Sequence, residues 1–249
     1  MLAIDCSNYT GELSAQQVND LYAAGVRRAI VQTVNPSLLT HRQQIPVLKS
    51  AGMEVEGYVY LWFHMDIAER VRWACDELRR LGIGHLWLDC EDNDFQNGED
   101  VIRVLRGIRE AIEVAHASGL TVGIYTAAWW WQYAAGNSEE FAHLPLWVAY
   151  YDGAADGMFR AFGGWETCEL KQYEGDTSLA GVSGIDLNWY AEEDELAVTI
   201  ISDQSVAVQT ALAALGRLSE AIGQQNGQFI ATASGAPAGY RDVVIRVRE

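Results

Sequence analysis

The chain has 249 residues, 49% of them hydrophobic, which allows one large α/β domain or one domain with an appendage. A formal net charge of −17 argues against nucleic acid or an anionic membrane as the main partner. It leaves a polysaccharide open, since sugars are bound by aromatic faces and hydrogen bonds, and nine Trp with eleven Tyr are many for this length.

Residues 2–4 form a short apolar strand ending at Asp5, followed by a polar loop. Ser14 caps a helix to about residue 24, with Val18, Leu21 and Tyr22 on one face. A second strand covers residues 28–33, and a helix over 41–51 stops at Gly52. A third strand, 55–61, carries Tyr58, Tyr60 and Trp62 toward one rim. Asp66 opens a helix ended by Gly82. The fourth strand, His85-Leu86-Trp87-Leu88, runs directly into Asp89 and Glu91. An amphipathic helix over 98–118 leads to strand five, 120–125. The short helix after it holds Trp129, Trp130 and Trp131; consecutive helical positions lie about 100° apart, so at least one of these rings is exposed. Residues 146–150, 168–173 and 184–187 read as three more strands.

Strand and helix alternate through strand five and then give way to strands joined by loops. This predicts an α/β fold: an irregular (β/α) TIM-like barrel of eight strands that lacks helices in its second half. Asp5, Tyr60, Asp89, Glu91, Tyr125 and Asp186 all fall at or near strand C-terminal ends, where such barrels do chemistry. From residue 191 the character changes. A helix over 203–224, with Val208, Ala211, Leu215, Leu218 and Ile222 at 3-4 spacing, precedes a hairpin over 227–233 and 240–247. The expected division is a barrel of residues 1–195 and an appendage of residues 196–249. A lone hairpin is marginal in water, so this appendage packs on the barrel or associates with another copy.

Asp89 and Glu91 stand two apart, so strand geometry sends both carboxylates to one side. Paired carboxylates supply what glycosidic cleavage needs, a proton donor and an anion facing an oxocarbenium-like centre. The same pair also fits a strand that ends in solvent with acids at its turn. Cys6, Cys75, Cys90 and Cys168 show no CxxC spacing; Cys6 and Cys90 follow acids and should face the helices as small buried residues. His64 and His85 lack partners at metal-ligand spacing, so no metal and no cofactor is expected. The start, Met1-Leu2-Ala3-Ile4-Asp5, predicts neither a signal peptide nor a membrane span.

Several segments together resemble the family 25 glycoside hydrolases, the muramidase-type lysozymes that cut bacterial peptidoglycan. They are Asp5-Cys6-Ser7-Asn8-Tyr9-Thr10-Gly11, Leu88-Asp89-Cys90-Glu91, Gly123-Ile124-Tyr125-Thr126, Leu146-Trp147-Val148-Ala149-Tyr150, Lys171-Gln172-Tyr173 and Gly184-Ile185-Asp186-Leu187-Asn188. The resemblance spans roughly residues 1–190. It implies Glu91 as general acid and Asp89 as the group that steadies an intermediate formed with the substrate's own N-acetyl group. Asp5 and Asp186 are implied as further active-site acids and Tyr125 as a rim aromatic, while Tyr60, Trp62 and Tyr150 are candidate substrate contacts. A Glu flanked by acids behind aromatic walls should keep its proton near neutral pH. The family's acid after strand two is missing in Val31-Gln32-Thr33-Val34-Asn35-Pro36, and Lys171 stands where the family has Trp. These departures keep open a non-catalytic glycan-binding or structural module; a chitin-type glycosidase ranks last because its Asp-x-x-Asp-x-Asp-x-Glu pattern is absent. The resemblance further implies a phage lysin or virion-associated lysozyme, made in the cytoplasm, acting on the cell wall and self-associating through residues 203–249.

Overall fold

The computed structural model describes residues 1–33, 37–95, 98 and 100–191, together with two strands at 228–234 and 242–248. Contacts divide the chain into two compact units, Met1–Ala191 and Glu192–Glu249.

In the first unit eight strands close a barrel in sequence order: β1 Leu2–Cys6, β2 Val26–Gln32, β3 Glu54–Tyr60, β4 His85–Asp89, β5 Thr121–Thr126, β6 Leu146–Ala149, β7 Leu170–Leu179 and β8 Val182–Tyr190. Helices α1 Ala15–Ala23, α2 His41–Ser50, α3 Ile67–Arg80, α4 Val101–Ala117 and α5 Ala128–Ala134 fill the connections up to β6. Side-chain caps set three starts: Ser14 in a capping box with Gln17, Asp66 accepting from Glu69 N–H, and Asp100 accepting from Arg103 N–H. Strands β1 to β7 pair in parallel, as βαβ units require. β8 pairs antiparallel with both β7 and β1. The β7–β8 hairpin therefore closes the barrel without a crossover, the parallel β6–β7 crossover carries no helix, and β7 and β8 run well beyond their expected ends.

Alternation sorts the core into two. Ala3, Ile30, Tyr58, Trp87, Tyr125, Trp147, Leu170 and Tyr190, one from each strand, form the plug inside the barrel. Their neighbours, among them Ile4, Cys6, Val59, Leu88, Cys90, Ile124 and Val148, belong to the core between sheet and helices. Much of the Trp and Tyr content is thus structural; truncating one such ring costs about 3–5 kcal/mol. Gly123 is required here because a Cβ on it would run into the Trp87 indole. Of the three consecutive tryptophans, Trp130 and Trp131 are fully buried and Trp129 is the exposed one.

In the second unit, β9 Gln228–Ser234 and β10 Asp242–Arg248 form an antiparallel pair with Ala231 opposite Ile245. The helix expected over 203–224 lies outside the described residues.

Candidate active site

The C-terminal ends of β1 and β4 gather Asp5, Asp89 and Glu91, and Asp186 joins them from the middle of β8, which runs antiparallel to its neighbours and so does not end here as expected. On β1, Ala3 and Asp5 point inward while Ile4 and Cys6 face the helices. On β4, Trp87 and Asp89 point inward while Leu88 and Cys90 face outward. Glu91 follows the strand and is half-buried, whereas Asp89 is only 4% exposed. Burial, with the charge of Asp186 behind it, raises the Glu91 carboxyl to about 7. Burial also lifts Asp89 well above the carboxylate range, Glu91 and Asp5 adding to the effect and Arg70 opposing it. The expectation of a raised glutamate facing an aspartate in its ordinary range is therefore corrected: both acids are raised, because Asp89 is the deeper of the two. Asp89 Oδ1 is buried without a hydrogen-bond partner among the described residues, a state that costs free energy unless a ligand fills it.

Asp5 and Asp186 face each other in register across β1 and β8. Gln172 Nε2 donates to Asp5 Oδ2 and to Asp186 Oδ2, each at 2.9 Å. Asn188 Nδ2 donates to Asp5 Oδ2 at 2.8 Å, and its own Oδ1 accepts from Trp147 Nε1 at 2.7 Å. The Gln172 Oε1 accepts from Tyr125 OH at 2.7 Å and from Tyr151 OH at 2.6 Å. All four hydrogen-bonding positions of the Gln172 amide are thus occupied, which determines its orientation. Burial and the charge of Asp186 raise Asp5 to about 8, and burial raises Asp186 as well, so this pair retains a shared proton near neutral pH. Irregular register between β7 and β8 brings Asp176 into a left-handed conformation (φ 49°), and its N–H donates to Asp186 Oδ1 at 2.6 Å.

The aromatic candidates separate. Tyr125 is buried under the acids, and Tyr60 is half-buried at the β3 tip, its phenol pushed up by burial and then by Asp89, Asp92 and Glu91. Trp62 packs against Tyr60 in a tilted pair with ring centroids 5.2 Å apart, but the Arg70 guanidinium covers one face of the Trp62 ring at 3.7 Å. Tyr150 departs from its expected place. It follows the inward Ala149, so alternation turns its ring into the outer core beneath the Lys171 ammonium, at 5.3 Å. Tyr151 takes the mouth position instead, 62% exposed and bonded to Gln172. A cavity of about 470 Å³ lies against Tyr151, Gly153, Tyr173, Glu174 and Gly175, and one of about 210 Å³ against Asp5, Ser7, Tyr9, Tyr58, Asp176, Gly184 and Asp186. At the tip of β2, where no acid stands, the Gln32 side chain accepts from Asn8 N–H at 3.1 Å.

The reading of His64 also changes. Its Nδ1 lies 3.5 Å from Asp94 and 3.7 Å from Asp92, and one ligand atom from each of the three falls within 4.8 Å of the others. Spacing along the chain could not show this, because the β3–α3 and β4–α4 connections bring the three residues together.

The family model for lysozyme-like protein 1 matches residues 1–173. The chain belongs to this lysozyme-like family. Among curated relatives, "Probable GH family 25 lysozyme 3" of Dictyostelium discoideum is 30% identical over 152 residues, covering 59% of this chain and 32% of the relative. "Counting factor 50" of the same organism is 37% identical over 156 residues, covering 59% of this chain and 51% of the relative. The match thus spans a third to a half of the length of these relatives. In fold, the chain is similar to the muramidase from Acremonium alcalophilum, with a TM-score of 0.64 at 20% identity over 78% of this chain and 95% of that one. The resemblance to family 25 glycoside hydrolases accordingly holds. Among the described residues, no helix is long and apolar enough to cross a membrane.

Gln172, Asn188 and Tyr151 were missed as site residues. Gln172 and Asn188 stand inside the motifs that carry the resemblance, Gln172 directly after Lys171 and Asn188 two residues after Asp186, and they pair across β7 and β8, which is the available signal. Nothing in the local sequence distinguished Tyr151 from Tyr150.

Proposed function

We propose that this lysozyme-like chain is a glycoside hydrolase that cleaves the glycan strand of bacterial peptidoglycan between N-acetylmuramic acid and N-acetylglucosamine. The observation that carries the reading is the pairing of a glutamate titrating at about 7 with a buried aspartate whose Oδ1 lacks a partner. Glu91 donates its proton to the leaving glycosidic oxygen. Asp89 Oδ1 accepts the N–H of the substrate's acetamido group, whose carbonyl oxygen attacks the anomeric carbon in place of an enzyme nucleophile. That hydrogen bond favours the charged form of Asp89 and moves the proton held by the pair toward Glu91, where it is needed. Water activated by the deprotonated Glu91 then opens the cyclic intermediate. Asp5 and Asp186, fixed by Gln172, line the mouth opposite, and Tyr60, Trp62, Tyr125 and Tyr151 supply aromatic contacts to the sugars.

Mass analysis of muropeptides tests this. Wild type should release fragments with N-acetylmuramic acid at the reducing end, and Glu91→Gln should release none. Fragments ending in N-acetylglucosamine, or release by both proteins, would contradict it. A second reading, a glycan-binding module without catalysis, draws on the acid-free β2 tip and on a relative named for a counting factor. It requires an inert wild type that still binds walls. Self-association through residues 203–249 remains a proposal, checked by light scattering of the full chain at increasing concentration; a constant monomer mass would end it.

A further inference from the structure

The β6–β7 connection has neither helix nor strand, yet it presents Tyr151 to the mouth. Its anchor is Lys171, the residue that departs from the family pattern. Lys171 points away from the barrel interior, and its side chain is 0% exposed. An ammonium taken out of water must be paired. Here Nζ meets Asp152 Oδ1 at 2.8 Å, Asp152 Oδ2 at 3.0 Å and Asp156 Oδ1 at 3.0 Å. Both carboxylates also cap the loop's own backbone: Asp152 Oδ1 accepts from Ala154 N–H and Asp156 Oδ1 from Met158 N–H, each at 3.0 Å. The connection is thus wound around one buried charge as two successive side-chain turns. Gly157 lies against the Trp189 ring so closely that a Cβ there would sit 2.6 Å from it, which closes the far side. On the inward face of the same strand, the next residue, Gln172, receives the Tyr151 hydroxyl.

We propose that Lys171 is a positioning residue for glycan binding: its ion pairs with Asp152 and Asp156 latch the 151–158 connection so that Tyr151 stands at the mouth, bonded to Gln172. The two faces of one strand hold the loop from both sides, Lys171 by charge and Gln172 by hydrogen bond. In the latched loop Tyr151 and Gly153 form one wall of the large cavity, with Tyr173, Glu174 and Gly175 of β7 forming the other. The proposal rests on the glycan reading above, but its binding arm does not require that the bond be cut.

The test uses the full chain and purified peptidoglycan sacculi. Lys171→Met keeps the apolar stem and removes the charge. The double variant Asp152→Asn, Asp156→Asn breaks the same pairs from the exposed side, so it remains informative should the buried substitution impair folding. Placed on a Glu91→Gln background, both should weaken sacculus binding by about tenfold and speed hydrogen exchange at amides 151–158. On the wild-type background KM should rise while kcat stays within about twofold. Faster exchange with unchanged binding would make Lys171 a purely structural residue and overturn the proposal, as would unchanged exchange in both variants. A wild type that binds sacculi without cutting them would sink the hydrolase reading, and the binding arm would still judge the latch. A wild type that does not bind would sink both.

Discussion

The two ends of the barrel bury charge in opposite ways. At the end holding the strand N-termini, Arg28 meets Glu56 at 2.5 Å and Glu169 at 2.6 Å, and the second oxygen of Glu56 accepts from Trp87 Nε1 at 2.7 Å. Burial works to raise the Glu56 carboxyl, but Arg28, His85 and these bonds outweigh it and leave it below the ordinary range. At the mouth, Asp5, Asp89, Glu91 and Asp186 crowd together; Arg70 opposes the shift at Asp89 only in part, and all four carboxyls are raised. The floor neutralises its charges and serves stability. The mouth leaves its acids short of counter-ions, so that protons stay where chemistry can use them, at a cost in stability.

The contrast can be broken by substitution. The largest expected effect is at the mouth: Glu91→Gln should lower wall hydrolysis by about 10²–10⁴-fold, the range of general acid catalysis, without changing the thermal midpoint by more than about 2 °C. Reducing-sugar release and thermal melts measure the two. At the floor, Arg28→Met strands a buried carboxylate and should cost about 3–5 kcal/mol in denaturant unfolding, with activity per folded molecule retained. Adding Glu56→Gln should recover part of that loss, and a floor contributing nothing to stability would show no loss to recover.

Asp5→Asn sharpens the comparison through pH. The folded carboxyl titrates at about 8, above its unfolded value near 3.9. Between these values the folded state binds more protons, so the stability carried by this group is full below about 4 and is lost as pH rises to 8. Asparagine mimics the protonated side chain, so Asp5→Asn should stabilise the protein at pH 8, by on the order of a few kcal/mol, and have little effect at pH 4. Activity should fall in the same variant. Equal melting shifts at both pH values would contradict a raised Asp5. The smallest effect is expected for Tyr125→Phe, which removes one of two hydroxyls from Gln172: about 1 kcal/mol of stability and a severalfold loss of kcat/KM.

Much of this architecture was legible in the sequence because it is local. Periodicity and caps such as Ser14 and Asp66 place the helices, and period-2 alternation ahead of Asp5 and Asp89 points both acids inward. What was not legible depends on pairing across the chain. The antiparallel closure by β8 and the extra length of β7 arise from a hairpin whose bulged register no local pattern announces. The Arg28–Glu56–Glu169 floor joins residues from three separate strand starts. Tyr150 and Tyr151 show how strict the strand period is: one step along the chain separates a ring in the outer core from a ring at the mouth. His64 illustrates the limit of spacing arguments, since its acidic neighbours come from a different connection.

The mouth holds a proton on its glutamate because burial and the neighbouring Asp186 leave it no alternative. A carboxyl ¹³C NMR titration of the full chain, with Glu91→Gln used to assign the signal, tests it most directly. The Glu91 midpoint is expected at about 7, with the Asp5 midpoint about one unit higher. Midpoints for both near 4, the range of exposed carboxylates, would contradict it.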